Sequence, residues 1–88
     1  MIFLKNITYT IKDSSGVHAR PAGMLVKTAG KFKSDINIES GGKSANAKKL
    51  FAVMGLNIKC GQSIVISASG EDEDEALKEI KSFFESNL

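Results

Sequence analysis

The only histidine, the only arginine and the only proline of this chain stand within four residues, as His18, Arg20 and Pro21 of GVHARPAG (16–23). Their types suit handling of an anion. If a helix begins just after Gly16, Pro21 falls in its first turn, where a missing N–H takes nothing from the helix ladder. The free N–H groups of Ala19, Arg20 and Ala22 then point outward as an anion site, and the planar guanidinium of Arg20 matches a pair of phosphate oxygens. His18 beside that helix end is a candidate nucleophile whose phosphoryl adduct the same groups would stabilise. A histidine at a helix start is also often a simple exposed cap, and the residues alone leave both roles open. General acid–base work lacks a partner, since Asp13 is the sole nearby acid.

The elements that must position this turn are legible from periodicity. Residues 2–11 read as a half-buried strand, with Ile7, Tyr9 and Ile11 on one side. Ala22, Leu25, Val26 and Ala29 share one face of a helix over 19–30, ending near Gly30. DINIES (35–40) alternates and 43–47 follows Gly41-Gly42, predicting a hairpin. A short apolar helix is expected over 49–57, a β-branched strand over 62–69, and a last helix over 72–86 with Ala76, Leu77, Ile80, Phe83 and Phe84 inward. Its acidic opening, 71–75, reads as a helix start in solvent. The order β-α-β-β-α-β-α implies an α+β open-faced sandwich, a largely antiparallel sheet with helices on one face.

Eighty-eight residues make a single domain, 1–88, with a small core. No apolar run reaches a membrane span, and the start lacks the marks of a signal peptide, so a cytoplasmic protein without membrane insertion is expected. Cys60 is alone, which excludes an internal disulfide, and one Cys with one His excludes a zinc site; neither metal nor cofactor is expected. Charge is unevenly distributed. Residues 1–70 carry ten Lys/Arg against three Asp/Glu, whereas 71–88 carry two against seven. A basic body attracts nucleic acid, phosphate or an acidic protein surface. The nucleic-acid reading is disfavoured by few aromatics and no aromatic pair on a strand. GGKS (41–44) is no P-loop, because the first glycine of that motif would fall on Asn37.

The short second helix holds too many apolar residues for one buried face. Val53 and Leu56 suit the core, leaving Leu50, Phe51 and Met54 as an exposed patch of the kind that docks partners. Met24 extends it, and Lys27, Lys48 and Lys49 ring it.

GVHARPAG resembles, almost letter for letter, the G-[LIV]-H-A-R-P-A signature of the histidine-containing phosphocarrier (HPr) family of the bacterial sugar phosphotransferase system. GGKSANAKKLFAVMGLNIKCG is similar to that family's second motif, and ISASGEDEDEA to its last strand and helix start. The resemblance implies four antiparallel strands with three helices. It further implies that His18 accepts phosphate on Nδ1 from phosphorylated Enzyme I and passes it to the IIA domains of sugar permeases. Arg20 and the backbone N–H groups of Ala19 and Arg20 would steady the phosphoryl group, in a carrier that is itself no enzyme and is expected to be a monomer. The apolar patch matches the family's docking positions. One departure stands out. Many members carry a regulatory serine at the start of the short helix; Lys49 occupies that position here, and Ser44 lies on the preceding strand. A specialised regulatory or operon-specific paralogue is therefore the alternative reading.

Overall fold

Alternating β-branched residues build the sheet, and their register decides which face is buried. The computed structural model describes residues 5–88. Strands β1 (Lys5–Thr10), β2 (Asp35–Ser40), β3 (Lys43–Asn46) and β4 (Ser63–Ser69) form one antiparallel sheet in the order β1-β4-β2-β3. Pairing of Ile7 with Ile66, Ile66 with Ile38 and Ile38 with Ala45 runs one apolar row across all four strands. Ile36, Ile38, Ile64 and Ile66 are fully buried by it. Three helices cover that face: α1 (Ala19–Ala29), α2 (Leu50–Met54) and α3 (Glu73–Asn87). This is the open-faced α+β sandwich expected from the order of elements.

α3 supplies the largest apolar contribution, burying Ala76, Leu77, Ile80, Phe83 and Phe84 as its periodicity predicts. Phe84 stacks on Tyr9 of β1 at a centroid distance of 5.5 Å and meets Phe83 edge-on at 5.6 Å. Pro21, Ala22, Leu25 and Ala29 form the buried face of α1, whereas Val26 is only half-buried against the core.

Three expectations need adjustment. Residues 2–4 of the first expected strand lie outside the described residues, and the strand ends at Thr10. The second helix is five residues long rather than spanning 49–57. Leu56 and Asn57 bond back three residues, to Val53 and Met54, and Asn57 takes a left-handed φ of 51°. That turn ends the helix and swings Ile58 into the core, where it is 3% exposed, while Leu56 stays half-buried. The acidic opening of α3 is likewise not simply solvated. Asp72 accepts hydrogen bonds from the backbone N–H groups of Lys33 (2.8 Å) and Ser34 (2.9 Å) and from the Ser34 hydroxyl. One carboxylate thereby ties the entry of β2 to the start of α3, and these bonds, the Ser34 hydroxyl first, hold it below the ordinary carboxylate range.

Candidate functional site

The segment between β1 and α1 is fixed by backbone bonds from three directions. Ile11 N–H donates to Gln62 O and Gly61 N–H to Ile11 O, at 3.0 and 2.8 Å. Lys12 and Asp13 N–H groups both donate to Leu88 O, at 2.6 and 2.9 Å. Asp13 then closes a turn, accepting Ser15 N–H on its side chain and Gly16 N–H on its carbonyl. Gly16 has φ +65°, and a Cβ there would lie 2.4 Å from Ile58 O. No other residue fits. The close approach lets Val17 N–H reach Ile58 O at 2.9 Å and buries the Val17 side chain.

His18 follows as the N-cap of α1, extended at φ −89° and ψ −176°, its side chain exposed and making no capping bond. Its carbonyl accepts Ala22 N–H at 3.0 Å. That bond corrects the expected anion site: Ala22 N–H belongs to the helix ladder, and Pro21 has none. Ala19 and Arg20 alone keep outward N–H groups at this terminus. His18, Arg20, Pro21 and Met24 line an open cleft of about 290 Å³ with Asp13 and Asn87. Arg20 is exposed and has no carboxylate partner within ion-pair distance among the described residues. Asn87 is the member that sequence reasoning missed. It stands at the far end of the chain, and only the packing of α3 against α1 brings it here.

The expected docking residues divide. Phe51 is 82% exposed, with Met24 and Met54 at 44% and 37%, on α1 and α2, which pack together. Leu50 departs from the expectation: it is half-buried and packs on the core. Lys27 is exposed. Lys48 is half-buried and donates Nζ to Phe32 O at 2.7 Å, so its ammonium braces the α1–β2 connection. Lys49 is the exposed N-cap residue of α2, and Ser44 sits on β3.

The model of the PTS-HPr family, described as the PTS HPr component phosphorylation site, matches residues 5–86. The chain belongs to the HPr family. The HPr-C-His structure from Thermoanaerobacter tengcongensis is 43% identical, covering 93% of this chain and 92% of its own, with a TM-score of 0.89. A mycoplasma histidine-containing phosphocarrier protein is 42% identical over 90% of each chain, at 0.88. Crh, the Bacillus subtilis catabolite repression protein described as a domain-swapped dimer, is 34% identical, covering 91% and 92%, at 0.75. Family membership and fold make this HPr-family chain a phosphocarrier.

Proposed function

We propose that His18 is the phosphoacceptor, taking the phosphoryl group on Nδ1 from phosphorylated Enzyme I and giving it to the IIA domain of a sugar permease. The observation that carries this reading is an exposed imidazole at the N-cap of α1, in one cleft with Arg20 and beside the unspent N–H groups of Ala19 and Arg20. On uptake a bond from His18 nitrogen to phosphorus forms as the donor's bond to phosphorus breaks; on delivery the His18 bond breaks as the acceptor's bond to phosphorus forms. The carrier supplies a nucleophile and a cradle for charge, each charge-assisted hydrogen bond contributing about 1–3 kcal/mol. The ring is reachable from solvent, as a group that must meet two partners in turn has to be.

Met24, Phe51 and Met54 form the docking surface in this reading, with Lys27 and Lys49 as its charged margin. A relay of this kind needs that surface uncovered, which favours a monomer. Lys49 offers no hydroxyl to a regulatory kinase, so docking is not switched off at that position.

Incubation with Enzyme I and labelled phosphoenolpyruvate tests the assignment. The protein should take up one acid-labile, base-stable phosphoryl group, and His18→Ala should take up none while keeping its fold by circular dichroism. Label persisting in His18→Ala would place the acceptor elsewhere. A second reading, a specialised regulatory paralogue, is favoured by the similarity to Crh together with Lys49. It predicts normal phosphorylation by Enzyme I but delivery to few or no IIA domains in a panel.

A further inference from the structure

A second cleft, of about 320 Å³, opens between the β2–β3 turn and the segment leading from α2 to β4. It shares no residue with the His18 cleft. Ser40 is among its lining residues, 6% exposed, with no hydrogen bond to its hydroxyl among the described residues. No fully buried side-chain oxygen or nitrogen in the described residues lacks a partner, so the Ser40 hydroxyl is not sealed from solvent. On one wall, Gln62 Oε1 accepts Lys59 N–H at 2.6 Å. That bond fixes the amide orientation and leaves both N–H donors of Gln62 unspent. Lys43 and Lys59 stand on opposite sides of the cleft, one from the hairpin and one from the loop, and neither has a carboxylate within ion-pair distance among the described residues. No acidic residue lines it, and the half-buried Leu56 provides an apolar wall.

Two ammonium groups, a fixed amide donor and an open hydroxyl, with no opposing carboxylate, suit an anion with several acceptor oxygens. The volume is several times the roughly 30 Å³ share of one water, and the Leu56 wall is wasted on a bare ion. We propose that this cleft binds a small phosphate monoester, its oxygens held by Lys43, Lys59 and Gln62 and its carbon chain lying on Leu56. The site is separate from the phosphoryl-transfer site and does not depend on the role assigned to His18.

The test is a titration of the full chain, isotope-labelled for amide NMR, with glycerol 3-phosphate at constant ionic strength, and in parallel with inorganic phosphate and with chloride. Saturable shifts are expected at residues 40–43, across the cleft from the loop, and at 57–62. Glycerol 3-phosphate should bind at least threefold more tightly than inorganic phosphate. The double variant Lys43→Gln/Lys59→Gln should weaken this binding at least tenfold, while the Ala19 and Arg20 amides keep their response and phosphorylation by Enzyme I proceeds at the normal rate. Shifts confined to residues 18–22, equal shifts with chloride, or unaltered binding in the double variant would overturn the site. Equal affinity for inorganic phosphate would overturn the monoester assignment.

Discussion

Arg20 in the first turn of α1 and Gly16 in the loop before it have separable roles, and substitution distinguishes them. Arg20 is exposed, unpaired with any carboxylate among the described residues, and lines the His18 cleft. Arg20→Ala should therefore slow phosphoryl transfer tenfold or more, equivalent to about 1.4 kcal/mol or above, with little change in Tm. A large fall in Tm with normal transfer would make the side chain structural. Gly16 is the converse. Its left-handed φ and the 2.4 Å approach of a Cβ to Ile58 O mean that Gly16→Ala must move backbone on both sides. A left-handed non-glycine residue costs about 1–2 kcal/mol before any clash, so the melting transition should fall by several degrees. Transfer should slow as well, because Val17 N–H loses its hold on Ile58 O just before the N-cap. An unchanged melting curve would show that the loop has slack.

Among the elements, the short helix and the acidic helix start carry predictions of different kinds. Phe51 is the most exposed large apolar residue of α2. Phe51→Glu should weaken Enzyme I binding tenfold or more while leaving stability near normal, as an interface aromatic would; unfolding would return it to the core. Asp72 predicts a pH dependence. Its carboxyl is held below the ordinary carboxylate range by the Ser34 hydroxyl and the Lys33 and Ser34 N–H groups. A depressed folded-state value means the stabilisation is complete above the unfolded value, near pH 4, and is lost as the pH falls through the lowered one. Denaturation midpoints should fall across that acid range, and Asp72→Asn should flatten the dependence and lower stability at pH 7. An equal acid dependence in Asp72→Asn would remove this latch from consideration. Here the limits of sequence reading are also plain. Periodicity identified the buried face of α3 because five apolar side chains repeat at helical spacing. It could not identify Asp72 as a tie, because the donors stand 38 and 39 residues away and nothing local marks them. Leu50 departs from its expected exposure for a related reason: a five-residue helix followed by a left-handed turn has no stable period, and one apolar residue of its first turn lies against the core.

At the scale of the whole molecule, the candidate site is part local and part assembled. His18, Arg20 and Pro21 form a local motif whose chemistry depends on a helix terminus, and a helix terminus is a property of neighbouring residues. The cleft around them is not local: Asn87 comes from the last turn of α3, and the loop is held by Ile58, Gln62 and Leu88. The strand order has a further consequence for how the chain is made. Among the described residues, β1 pairs only with β4, Lys5 opposite Ala68 and Thr10 opposite Ser63. On a growing nascent chain, β1 thus waits without a partner until residues beyond 60 leave the ribosome, and closing that span costs roughly 3–4 kcal/mol of chain entropy. The segment from Ile11 to Val17, which leads into the GVHARPAG motif, takes its long-range hydrogen bonds from residues 58, 61, 62 and 88. It is synthesised among the first segments and assembled among the last, so a chain stalled before β4 carries the whole signature without the contacts that build the His18 cleft.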